Sequence, residues 1–192
     1  MKISDLEKRK FFPAIFMIFI AGGLDAYSYI LRGGVFLTMQ TGNLVQIGIR
    51  IARGEFYSTL YFLAPIFSFV LGIAIATFVY KKKHGVKITA ALAAIAYIVG
   101  ILLPLGGVPD MLANGAIAFG AAVHLQIIKS INSFPIATTM CTGNMRSLAE
   151  CIGERISTKD KKYSLGILIY SSLIISFTLG VLISGLIIYA II

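Results

Sequence analysis

The sequence predicts an all-α, polytopic membrane protein, and three observations predict it. Of 192 residues, 58% are hydrophobic and only 13% charged, with a mean hydropathy of +0.90, values far from those of water-soluble domains. The apolar residues gather into runs of roughly 17–25, the length a helix needs to cross about 30 Å of hydrocarbon. A polar phrase, TMQTGN at Thr38–Asn43, returns 101 residues later as TMCTGN at Thr139–Asn144, the mark of an internal repeat.

Taken in order, Phe11–Leu31 is the first crossing. It is longer than the apolar core of a signal peptide and no convincing cleavage site precedes the next hydrophobic segment, so it is expected to stay in the membrane. Gly33–Ile49 is shorter and more polar and holds the first copy of the phrase. Tyr57–Tyr80, Ile88–Leu105 and Met111–Ile128 are clear apolar runs. Pro135–Ile152 is a second short polar segment with the second copy, and Tyr163–Ile192 is the last run. Counting the two short segments in or out gives five to seven membrane segments in one helix bundle.

The repeat extends beyond the phrase. An offset of 101 also pairs Leu24 with Leu125 and Asp25 with Gln126, and an offset of 108 pairs FSFVLG at Phe67–Gly72 with ISFTLG at Ile175–Gly180. A single membrane domain is therefore expected over residues 1–192, with repeat one at about 11–80, a linker helix at 88–105 and repeat two at about 111–192. The last helix of each repeat carries small residues every fourth position: Ala64, Ser68, Gly72 and Ala76, then Ser172, Ser176, Gly180 and Ser184. Such ladders let helix backbones approach closely in lipid, so they are read as packing stripes.

Cytoplasmic loops collect Lys and Arg. With the amino terminus cytoplasmic and all seven segments crossing, ten loop cations lie inside and six outside; with both short segments returning to the side they entered, the tally is thirteen against three. The second arrangement makes the repeats inverted, the first parallel, and both occur in transporters. The net charge of +9 is read as this topology signal and as contact with anionic membrane lipids, not as a nucleic-acid surface. Cys141 and Cys151, the two cysteines, form neither a disulfide framework nor a metal knuckle and are read as packing residues.

The candidate site follows from polarity where polarity is costly. In Thr41-Gly42-Asn43 and Thr142-Gly143-Asn144, glycine weakens a helix and the Asn amide must find partners in hydrocarbon. Either a helix begins there, with Thr or Asn capping its exposed backbone beside a cavity, or glycine permits a close crossing and the polar groups bond a neighbouring helix. Asp25, in GGLDAYSYI, is the best single functional candidate; otherwise it sits among outer headgroups or pairs with Arg32. His124 and Gln126 adjoin on one helix, His124 as a proton relay, an anion ligand or a satisfied interhelical bond. Arg146 either faces the cavity or, the favoured reading, pairs with Glu150 and reaches the interface, and His84 in KKKHGVK is expected to be solvated. Nothing resembles a nucleophile with its base, a metal cluster or a phosphate loop, so neither enzyme activity nor a cofactor or metal is expected.

GGLDA at Gly22–Ala26, GGVFLTMQTGNLV at Gly33–Val45 and the second TGN at Thr142–Asn144 resemble the YoaK family of small bacterial multi-pass membrane proteins, and the resemblance covers essentially the whole chain. It implies a bacterial inner-membrane location and a transporter-like role, without a substrate or a proven site. The stretch His124-Leu125-Gln126-Ile127 departs from a GLQN-like pattern in that family, which weakens the case for His124. The expected function is a permease of an unknown small solute, with Asp25, Thr41, Gly42, Asn43, His124, Gln126, Thr142, Gly143 and Asn144 around a central site. Proton coupling would follow if Asp25 titrated, and a homo-oligomer is left open. The alternative is a scaffold or sensor that moves nothing.

Overall fold

A computed structural model describes residues 5–192, with side chains from Arg9 onward; Lys2 and the side chain of Lys8, two of the cations in the topology tally, lie outside the described residues. Seven helices follow in order: α1 (Asp5–Leu31), α2 (Gln40–Ala52), α3 (Thr59–Tyr80), α4 (Gly85–Leu102), α5 (Val108–Leu125), α6 (Cys141–Thr158) and α7 (Lys162–Ile191). Among the described residues, five stretches are long and apolar enough to cross a membrane, in α1, α3, α4, α5 and α7. The thirteen residues of α2 extend only about 20 Å at 1.5 Å each. The eighteen of α6 include Arg146, Glu150, Glu154 and Arg155.

Local chemistry sets the helix ends. Gly33 and Gly34 at φ +85° and +72° end α1 in a conformation that costs glycine little. Helix α4 stops at Leu102, not Leu105, because Pro104 disfavours helix at the residue before it. Helix α5 starts early, at Val108, behind Gly106 and Gly107 and with a proline in its first turn, where the missing N–H costs nothing. It also ends early, at Leu125 and not Ile128. There the chain turns into a hairpin, β1 (Ser130–Ile131) against β2 (Phe134–Pro135), around Asn132 and Ser133, both at positive φ. The Tyr170 hydroxyl on α7 donates to the Pro135 carbonyl at 2.7 Å and pins that hairpin.

Contacts along the helices give their directions. On α1 and α7 residue numbers rise together: Ser176 Oγ donates to the Ile15 carbonyl at 2.8 Å, Gly180 abuts Phe19, and Ser184 Oγ donates to the Gly23 carbonyl at 3.0 Å, so these helices are parallel. The pair α3 and α5 is parallel too, with Ser68 against Gly115 and Gly72 against Phe119 and Ala122. Helices α1 and α5 run opposite, since Leu24 packs with Ile117, Ser28 bonds Asn114 and Arg32 bonds Asp110. Consequently α1 and α3 are antiparallel, as are α5 and α7, and each of α2 and α6 joins two spans at the same side of the bundle. The small-residue ladders lie at these seams. A Cβ on Gly180 would overlap the Phe19 carbonyl, while one on Gly72 would meet Ala122 Cβ at 2.8 Å.

Outward, large apolar side chains such as Phe67, Phe78, Leu102, Leu186 and Tyr189 are exposed, a surface suited to lipid and not to water. Inward, the largest cluster joins Ala14, Ile18 and Ala21 of α1 to Ile169, Leu173 and Phe177 of α7 and to Ile131 of the hairpin.

Candidate functional site

Both TGN phrases sit at the first turn of a short helix: Thr41 is the second residue of α2 and Thr142 the second of α6. The helices thus begin at the repeated phrase, but their side chains do not cap them; neither α2 nor α6 has a side-chain cap bond. Each asparagine instead folds back onto the chain that leads in. The Phe36 N–H donates to Asn43 Oδ1 at 3.0 Å, and Asn43 Nδ2 donates to the Phe36 carbonyl at 2.6 Å. The Ala137 N–H donates to Asn144 Oδ1 at 3.1 Å, and Asn144 Nδ2 returns to the Ala137 carbonyl at 2.8 Å. In each case the amide reads both backbone groups of the residue seven positions earlier, as a neighbouring strand would. Both side chains are buried, and this pairing meets the cost of placing an amide there.

Asp25 is 3% exposed and faces the same incoming loop. Its Oδ1 accepts from the Leu37 N–H at 2.7 Å and the Thr38 N–H at 3.0 Å, and its Oδ2 accepts from the Thr38 hydroxyl. Three donors converging on two oxygens is the pattern of a carboxylate acting as acceptor. Neither structural expectation for Asp25 holds: it lies inside the protein rather than among headgroups, and Arg32 is engaged elsewhere. Arg32, fully buried, donates to Asp110 Oδ1 at 2.9 Å, to the carbonyls of Leu103 and Pro104, and through Nε to the Tyr27 hydroxyl at 2.7 Å. Asn114 links Ser28 Oγ with the Arg32 carbonyl and completes the network. Sequence reasoning missed it. Its signal was the pair Asp110 and Asn114, one helical turn apart in the first half of a mainly apolar helix.

The two TGN turns meet across one cavity of about 420 Å³. Thr38, Met39, Gln40, Thr41 and Gly42 line it from one loop and Met140, Cys141, Thr142 and Gly143 from the other; Ile66, Phe69 and Val70 of α3 form a further wall. Of the nine expected site residues, four line it: Thr41, Gly42, Thr142 and Gly143. Asn43 and Asn144 stand behind them holding the loops, and Asp25 stands behind Thr38. Thr41 and Thr142 are exposed. A Cβ on Gly143 would meet nothing within 4 Å, whereas one on Gly42 would press the Phe36 ring at 2.8 Å. A second cavity, about 450 Å³ and almost wholly apolar, lies between α1 and α7, with Asp25, Phe36 and Met39 in its wall.

His124 and Gln126 are not on the central cavity. His124 is buried, with Nδ1 2.8 Å from the Tyr97 hydroxyl, which is the interhelical bond considered from the sequence, while its Nε2 has no partner among the described residues. Gln126 Oε1, Thr138 Oγ1 and Thr139 Oγ1 are likewise buried without a partner. Arg146 pairs with Glu150 at 2.8 Å on an exposed helix face, as expected, and His84 is exposed at the start of α4.

Five apolar spans, two short helices returned between them and buried amides holding both returns define a class, the multi-pass α-helical membrane protein. More narrowly, the chain belongs to the family described as "Protein of unknown function (DUF1275)", whose model matches residues 13–191. It is 27% identical over 150 residues to "UPF0700 transmembrane protein YoaK" of Bacillus subtilis (strain 168), an alignment that covers 74% of this chain and 67% of that protein. The resemblance carried by GGLDA and the TGN runs is thereby shown. No solved structure matches the chain.

Proposed function

We propose that this protein is a carrier of a small solute in the bacterial cytoplasmic membrane, with the cavity between the two TGN turns as its binding site. One observation carries the reading: residues from two copies of a polar phrase 101 positions apart line a single cavity. Its volume lies within the roughly 300–1,000 Å³ of ordinary small-molecule sites. The helix directions support an inverted-repeat reading, in which α1–α2–α3 and α5–α6–α7 are related through an axis near this cavity and α4 is the linker, an arrangement suited to alternating access. With the amino terminus cytoplasmic, Lys81–Lys83, Lys87 and the Arg155–Lys162 loop share the inner side, leaving Arg32, Arg50 and Arg53 outside.

A scaffold reading has an observation of its own: the polar atoms of Asp25, Asn43 and Asn144 are spent on backbone groups. Gly143→Leu separates the two readings, because it fills the cavity from a helical position with open space around it. A solute panel is screened by thermal unfolding of purified wild type and variant. A carrier shows a compound that stabilises the wild type, by about 2.7 kcal/mol at a hundredfold excess over its Kd, and leaves Gly143→Leu unmoved. A panel in which every compound acts equally on both proteins overturns the carrier reading and favours the scaffold.

A further inference from the structure

We infer that the central cavity takes an uncharged solute with a mainly apolar body and a small hydrogen-bonding group; the inference rests on the carrier reading above. None of the described residues that line it is charged, and Phe36, Met39, Ile66, Phe69, Val70 and Met140 give it a largely apolar wall. Hydrogen-bonding side chains enter the lining at Thr38, Gln40, Thr41 and Thr142; Thr38 already bonds Asp25 and Gln40 the Leu37 carbonyl, while Thr41 and Thr142 are exposed. A formally charged solute would shed its water there without meeting a counter-ion, a large cost in a low-dielectric site.

The fixed charges behind the wall also balance. Helices α2 and α6 both begin at the cavity, and each helix start carries a partial charge of about +0.5. Against these stands the Asp25 carboxylate, one residue behind the lining through its bonds to Thr38. Two half-charges and one full charge of opposite sign leave little net field to draw an ion of either sign. The Thr hydroxyls donate or accept as the solute requires.

The test uses three probes with one carbon skeleton: cyclohexanol, cyclohexanecarboxylate and cyclohexylammonium at neutral pH. Binding to the purified full-length protein is followed by thermal shift, with Gly143→Leu as the blocked control. Should that variant fail to fold, Thr142→Leu, at an exposed helical position, closes the cavity instead. The expected result is control-sensitive binding of cyclohexanol about tenfold or more tighter than either ion. In Asp25→Asn, which loses the balancing charge but keeps an acceptor oxygen, cyclohexanecarboxylate gains about tenfold relative to cyclohexanol. Control-sensitive preference for one of the ions in the wild type overturns the neutral class and leaves the cavity standing as a site. Identical shifts in wild type and blocked control for all three probes overturn both. An Asp25→Asn that does not fold leaves the wild-type series to decide.

Discussion

Between α1 and α2 the chain is held from two sides: Asn43 grips Phe36, and Asp25 grips Leu37 and Thr38. Between α5 and α6 only the first grip recurs, Asn144 on Ala137, while at the place of Asp25 stands Gln126, whose carbonyl oxygen bonds nothing. Thr138 and Thr139, the counterparts of Leu37 and Thr38, keep their hydroxyls buried and unpaired. Each such group lacks the compensating bond that a buried polar atom normally makes. Around the phrase itself the turn is therefore fastened by two side chains in one half and by one in the other, where Tyr170 pins only the hairpin that precedes it. Local opening follows the weaker fastening, so the second loop is the one expected to yield first.

The contrast is most sharply tested at its centre. Asp25→Ala strands two backbone N–H groups and a hydroxyl, and should lower stability by about 3 kcal/mol or more, whereas Gln126→Ala should change it by less than about 0.5 kcal/mol. Denaturant or thermal unfolding in a fixed detergent measures both, and similar losses at the two positions would erase the asymmetry.

The helix seams extend the comparison. Gly180→Ala drives a methyl deep into the Phe19 carbonyl and is expected to cost about 3 kcal/mol, against about 1–2 kcal/mol for Gly72→Ala, whose methyl meets Ala122 Cβ and the Phe119 carbonyl less closely, both at 2.8 Å. Equal unfolding temperatures for the two variants would show that the α1–α7 seam is no tighter than α3–α5. The asparagines should show no such split. Asn43→Ala and Asn144→Ala each remove a matched pair of loop bonds and should each cost about 2 kcal/mol, and a twofold difference between them would mean that the shared grip is not shared.

The smallest effects compare the two threonines by an isosteric change. Thr38→Val loses the bond to Asp25 and should cost about 1–2 kcal/mol; Thr139→Val deletes an unpaired hydroxyl and should be neutral or slightly stabilising. A destabilised Thr139→Val would mean that this hydroxyl has a partner, such as a buried water.

What the sequence made legible was whatever depended on composition along one helix. The five spans followed from length and apolarity and Arg146 with Glu150 from a spacing of four, while the awkward TGN phrase left open whether a helix begins there or crosses a neighbour closely. What stayed hidden depended on where the chain turns back. Asp25 was singled out because a carboxylate is costly there, but its partners lie in an irregular loop that no helical periodicity describes, so the nearby Arg32 looked like the better match. Arg32 in turn finds Asp110, 78 positions away. The hairpin at Ser130–Pro135 is two residues to a strand, with Asn132-Ser133 as its turn, too short to show an alternating pattern.

The parallel seam of α1 with α7 bears on how this protein is made. Ile15 and Ser176 are 161 positions apart, a stretch that a ribosome at about 5–20 residues per second needs roughly 8–30 s to synthesise. Through that interval the glycine face of α1, already delivered to the bilayer, has no mate from its own chain. Helix α1 waits for α7, and until α7 arrives the open face of α1 is available to lipid, to the insertion machinery or to a neighbouring nascent chain.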